Sequence, residues 1–365
     1  MSTAADFGIA LGRVAFVMLF VLNAGGLLTW VERKQSAIMQ DRIGANRASL
    51  FGVRLMGLFH PLADALKMLT KEDFRPARAD RVLFTLAPFV SVFFALVAFA
   101  AIPFGDTLRV GDREIPLQAV TLNVGVLYVF AMLSLGVYGV MMAGWSSANN
   151  YALLGGQRAA ALMISAEIAL GASIMGVIMV YGSLNLQDIV RAQGYHVGGW
   201  LPLWGIVTQP LAFVLFVTAG IAATKRIPFD LPEGESEIIG YFVEYSGMKF
   251  GMFAMADFLE TVVIAGLTTA LFLGGWQVPW LFADGLRFPW GAHLPLPHLL
   301  VVLLQVTAFV VKVSVMIFLL MLVRWTLPRF RYDQAMRLGW LGLFPLSMLN
   351  LGVTGLVLLA LGRGA

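Results

Sequence analysis

The sequence predicts an all-α polytopic membrane protein with eight transmembrane helices, and three observations carry that reading. Of 365 residues, 59% are hydrophobic and only 13% are charged. Stretches without a single charge run over 82–105, 115–157 and 338–362. Apolar runs of about 18 residues or more are long enough to cross the hydrocarbon core. The third observation is where the cations fall. Taking spans at 7–30, 82–103, 122–144, 160–180, 208–224, 252–273, 299–323 and 340–361, the segments after spans one, three, five and seven hold 10, 1, 3 and 4 Lys/Arg of the 25 in the chain. Positive charge marks the cytoplasmic side. The first loop and the loop at 225–249 are therefore expected in the cytoplasm, with both termini outside. The whole chain, 1–365, reads as one integral membrane domain.

The first span follows a mildly acidic start without Lys or Arg and has no small-residue cleavage pattern, so it is expected to be a retained span. The first loop, 31–81, is the longest and most charged. Within it Phe51, Leu55, Leu58, Leu62, Leu66 and Leu69 recur at three- and four-residue spacing, the stripe of an amphipathic helix lying in the membrane interface. Pro61 is expected to divide that stripe and to open its second helix. The outer loops at 104–121, 181–207 and 274–298 are rich in Gly, Pro and Trp and read as short caps. Span five is the weakest and is expected to begin as early as Leu203.

Composition excludes several chemistries. The chain has no cysteine, which removes disulfides, thiolate metal sites, iron–sulfur clusters and c-type haem. His60, His196, His293 and His298 fall in loops, so no pair of them is placed to hold an intramembrane haem. There is no Gly-Lys-Ser/Thr phosphate loop. No metal site is expected.

Charges inside the spans are the candidate functional groups. Glu167 lies in span four, Asp257 and Glu260 share a face of span six at i, i+3, and Lys312 lies in span seven. A charge at the bilayer centre costs about 2.5–3.5 kcal/mol on insertion scales, so such residues mark ion paths or neutralised pairs. A pairing of Lys312 with Glu167 or Asp257 would be the structural alternative. The loop at 225–249 concentrates Asp230, Glu233, Glu235, Glu237 and Glu244. Asp230 and Glu233 have the spacing of a capping box that would open a short helix. The other three have no such explanation, and crowded carboxylates raise one another's pKa.

Several motifs together resemble one family. They are Glu32-Arg33-Lys34, Arg42-Ile43-Gly44, His60-Pro61-Leu62-Ala63-Asp64, Lys71-Glu72-Asp73, the run from Pro228 to Glu237, Glu244-Tyr245-Ser246-Gly247-Met248-Lys249-Phe250 and Pro328-Arg329-Phe330-Arg331-Tyr332-Asp333-Gln334. They resemble the H subunit of NADH-quinone oxidoreductase, respiratory complex I, from the first span to the last. The resemblance implies one membrane component of a proton-translocating NADH:quinone oxidoreductase in a bacterial inner membrane, at the junction of the peripheral and membrane arms. It implies quinone as substrate, with NADH, FMN and iron–sulfur clusters on partner subunits of the peripheral arm and antiporter-like subunits alongside. Carried over by position, Glu32, Arg33, Arg42, Asp64 and Lys67 belong to the quinone chamber. Asp230, Glu233, Glu235, Glu237 and Glu244 form a coupling loop, Glu167, Asp257, Glu260 and Lys312 a proton path, and Arg324, Arg329 and Arg331 supporting charge.

The chain departs from the family pattern. Ser134 and Ala223 stand where glutamates are usual, Asp257 replaces a glutamate, Ala45 a proline and His60 a glutamine, and the stretch from Glu237 to Glu244 is one residue short. A diverged second copy of the family member, or a route through water, Tyr138 or Lys312, would follow. Two other readings stay open: the equivalent module of a membrane-bound hydrogenase-type ion pump, and a free-standing secondary transporter.

Overall fold

A computed structural model describes residues 2–111, 113–197, 200–234 and 237–362. Glu235 therefore lies outside the described residues.

The chain is a bundle of long apolar helices. Helix α1 (Ser2–Met39) does not stop at residue 30 but continues unbroken for 38 residues. At about 1.5 Å per residue it is roughly 57 Å long, nearly twice the hydrocarbon core. A helix of that length exceeds the apolar slab, and its last turns carry Glu32 and Arg33. Helix α2 (His60–Thr70) follows, with Pro61 in its first turn. It buries none of its residues, and Leu62, Leu66 and Leu69 are 50%, 56% and 65% exposed. Its apolar stripe thus faces away from the chain, as expected of an interfacial helix. The upstream half of the predicted stripe is not helical beyond a single 3₁₀ turn at Leu55–Gly57.

Helices α3 (Arg81–Ala98), α4 (Gly125–Ser146) and α5 (Asn150–Tyr181) pack in sequence order. Asp80 caps α3 by accepting from the backbone N–H groups of Val82 and Leu83, both at 2.9 Å. Gly139 lets α3 and α4 meet backbone to backbone: a Cβ there would lie 2.1 Å from Ser91 Oγ and 2.8 Å from Ala87 O. After the short α6 (Leu186–Ala192), the fifth span is in two pieces, α7 (Gly205–Thr208) and α8 (Pro210–Ala223). Pro210 lacks an N–H and disfavours helical geometry at the residue before it, and Gln209 accordingly sits at φ −140°. Among the described residues seven helices are long and apolar enough to cross a membrane, and α8, at 14 residues, is a shorter apolar helix where the sequence predicts the fifth of eight spans.

Helix α9 (Gly247–Phe272) is the axis of the bundle. Every residue from Leu259 to Phe272 is buried, and α1, α3, α8 and α10 (His298–Thr326) all pack on it. A helix apolar all round belongs at the centre, so Asp257 and Glu260 are placed inside the protein rather than in lipid. The chain ends in α11 (Tyr332–Arg337), a π-helical turn at Leu338–Leu343 and α12 (Phe344–Ala360), which lies against α5. The connections at 104–121, 181–207 and 274–298 carry short antiparallel hairpins on the face opposite the first loop.

Candidate functional site

The loop between α8 and α9 forms no helix among its described residues, so Asp230 and Glu233 do not make the capping box their spacing allowed. It is fixed by aromatic packing instead. Tyr245 stacks on Phe84 of α3 at 4.0 Å, and Tyr241 and Tyr245 both meet Phe253 edge-on. Gly155 of α5 makes room for it, since a Cβ there would lie 2.8 Å from Tyr241 N. Phe330 N donates to Pro228 O at 2.9 Å, tying the loop to the segment after α10.

Between this loop, α1, α9 and α10 lies a cavity of about 130 Å³. Four carboxylates line it, Glu32, Asp230, Glu233 and Asp257, with three cations, Lys225, Arg226 and Arg324; Phe242, Phe250, Phe253 and Phe258 form apolar walls. The charges are grouped in two triads and a pair. Glu32 bridges two guanidiniums, Arg226 at 3.2 Å and Arg324 at 2.8 Å. Arg226 also lies 4.3 Å over the ring of Phe258. Asp230 is held by Arg329 at 2.7 Å. Lys225, whose side chain is 3% exposed, reaches Asp257 at 3.1 Å and Glu260 at 3.1 Å. Glu233 lies within hydrogen-bonding reach of Asp257 and has no ion-pair partner among the described residues.

Counting Glu260 and Arg329, five carboxylates face four cations among the described residues, and Glu233 is the acid among them with no ion-pair partner in that set. Burial, with the charges of Asp257 and Asp230, pushes the Glu233 carboxyl well above the ordinary carboxylate range. Burial raises Asp230 to about 6, outweighing the nearby Arg329 guanidinium. Asp230 is thus neutral at pH 5 and ionised above pH 7. Because its folded-state value lies above the ordinary 3.8, its contribution to stability is complete below that pH and is lost as the pH rises through about 6. An infrared difference spectrum between pH 5 and pH 7 is expected to show a protonated-carboxyl band disappearing, and Asp230→Asn to remove that band. A band that persists in the variant would assign the titration elsewhere.

The other expected site residues divide. Arg33 pairs with Asp64 of α2 at 2.7 Å, joining the end of α1 to the interfacial helix. Arg42 and Lys67 are exposed and do not line the cavity, Arg42 donating to Gln40 at 2.6 Å. Glu237 and Glu244 turn to the other side of the loop, toward Arg158 at 2.6 Å and Asn149 at 2.7 Å. Arg331 is exposed and pairs with Asp333. Glu167 lies on α5 within reach of Ser134. Lys312 pairs with neither Glu167 nor Asp257. Its ammonium donates to the carbonyls of Leu273, Gly275 and Gln277 at 2.7, 3.0 and 2.6 Å, closing the C-terminal end of α9. Tyr138 is 61% exposed on the outside of the bundle.

Lys225 and Arg226 were legible only as topology charges. The available signal was a lysine at the very end of a span, followed by an i, i+3 acidic pair in the next. No group of three or more His, Asp or Glu residues placed to hold a metal occurs among the described residues.

A helical, multi-pass membrane protein with a charge-lined cavity at one face is the class that this fold and site define. The sequence matches the model of the NADH dehydrogenase family over residues 12–355. It is 44% identical over 357 residues to the NADH-quinone oxidoreductase H subunit 1 of Geobacter metallireducens, covering 98% of each chain. It is 46% identical over 349 residues to the NADH-quinone oxidoreductase H subunit of Thermomicrobium roseum, covering 94% of each, and 42% identical over 351 residues to the H subunit 2 of Rhizobium meliloti, covering 96% and 97%. The chain belongs to the family of NADH-quinone oxidoreductase H subunits.

Proposed function

We propose that this chain is the membrane component of a complex I-type NADH:quinone oxidoreductase that forms part of the quinone chamber and couples quinone reduction to proton translocation. The observation that carries the proposal is the cavity of about 130 Å³ in which Glu32, Asp230, Glu233 and Asp257 face Lys225, Arg226 and Arg324. A small cavity with both charged groups and phenylalanine walls, beside an interfacial helix with an outward leucine stripe, suits the polar head of a lipid-borne substrate. A network with one carboxyl in excess of its cations suits coupling, since negative charge arriving on a reduced quinone raises neighbouring carboxyl pKa values and draws in protons. Asp230 and Glu233 are the coupling groups nearest that charge. Glu237 and Glu244 act from the far side of the loop.

NADH, FMN and iron–sulfur chemistry belong to partner subunits in this reading. The soluble partners dock on the face carrying the first loop, and the antiporter-like subunits lie in the membrane alongside. That face is cytoplasmic, both termini are outside, and the membrane is a bacterial inner membrane. A photoreactive quinone, added to the assembled enzyme, is expected to label the end of α1 or residues 250–258. Labelling confined to other subunits would overturn the assignment and favour the hydrogenase-type module.

A further inference from the structure

Two cavities lie on either side of one buried lysine. Asp257 lines the larger, charged one, and Glu260, one turn further along α9, lines a smaller one of about 10 Å³. Lys225 is held between those two carboxylates at 3.1 Å from each. The smaller cavity also has Glu167 in its wall, with Ala223 and Thr224 at its side. Glu167 Oε1 is buried without a hydrogen-bond partner among the described residues, whereas Glu260 Oε2 meets the Lys225 ammonium at 3.1 Å, so the two carboxyls sit on either side of one small, otherwise apolar cavity. Asp257 is in turn within hydrogen-bonding reach of Glu233.

We propose that Lys225 is a proton relay joining the cavity of the acidic loop to Glu167 inside the membrane. This rests on the coupling role proposed above and names the step that enters the bundle. When Asp257 takes a proton, Lys225 gives one of its own to the Glu260 carboxylate and recovers one from the Asp257 carboxylic acid. The lysine ends as ammonium, Asp257 as carboxylate and Glu260 as carboxylic acid, so one proton has moved and no charge is lost. Glu260 then passes its proton across the small cavity that both residues line to the Glu167 carboxylate. Ala223 keeps the space open, because a longer side chain at that position would fill it. Neither Lys312, at the far end of α9, nor the exposed Tyr138 is needed.

A lysine that only balances charge would occupy the same place, and the test separates the two. Lys225→Met with Glu260→Gln removes one cation and one anion and leaves the net charge unchanged. The assembled enzyme is reconstituted in liposomes, and protons translocated per NADH are measured with Glu233→Gln and Ala223→Leu alongside. The relay predicts at least a tenfold loss of pumping in the double variant and a loss in the same direction in Ala223→Leu, which keeps every ion pair. Wild-type pumping in the double variant would reduce Lys225 to a charge balance and overturn the proposal. Should the double variant fail to assemble, wild-type pumping in Ala223→Leu overturns it equally. Loss of pumping in Glu233→Gln beside wild-type values in the other two would remove the relay and keep the coupling reading. Wild-type values in all three would remove both.

Discussion

Replacing Glu32 by alanine is expected to destabilise the assembled protein by about 3–5 kcal/mol, the cost of breaking a buried ion pair from one side. Glu32 is the only carboxylate between Arg226 and Arg324 among the described residues, and the three side chains are 13%, 11% and 24% exposed. Without it two guanidiniums face each other across the cavity, and α1 loses its ionic ties to the α8–α9 loop and to α10. Glu32→Gln keeps the shape and one acceptor and is expected to cost less. Thermal unfolding of the detergent-solubilised enzyme reads the difference. If the cavity serves quinone as proposed, the quinone KM is expected to rise in both variants, since Glu32 lines it. An unchanged melting temperature in Glu32→Ala would show that the two arginines find other partners.

Replacing Glu233 by glutamine is expected to act on rate rather than stability. Among the described residues Glu233 is the carboxyl of this network without a cation, and burial with the neighbouring carboxylates raises its pKa, which marks it as a proton-handling group. The amide keeps the size and the hydrogen-bonding reach to Asp257 but cannot exchange a proton. Quinone reduction at saturating substrate is expected to fall by about 10²-fold, the lower end of the range for a positioned acid or base, with little change in melting temperature. An unchanged turnover would place the proton-handling group elsewhere in the network.

The membrane fold was readable from the sequence because the bilayer imposes length and apolarity on each span. The broken fifth span was partly readable, since Pro210 forbids a continuous helix through Gln209. The extension of α1 beyond residue 30 was not, because a helix leaving the membrane changes composition without changing conformation. The acidic loop shows the same limit at the site. Local spacing suggested a cap for Asp230 and Glu233 and left Glu237 and Glu244 as the unexplained acids. The fold places them the other way round: Arg329 holds Asp230 and Glu233 lies beside Asp257 at the cavity, while Arg158 and Asn149 hold the second pair outside it. Pairings across 79 to 99 residues leave no periodic trace in one sequence. Lys225 was hidden for the same reason: its meaning depends on α9 returning its acidic face to the end of α8.

If coupling runs through the cavity side of the loop, the two sets of acids respond differently to loss of their protons. Protons translocated per NADH, measured in proteoliposomes, test this when Glu233→Gln is compared with the double variant Glu237→Gln, Glu244→Gln. A cavity-side path predicts that Glu233→Gln abolishes pumping while the double variant retains most of it. Full pumping in Glu233→Gln with pumping lost in the double variant would contradict it.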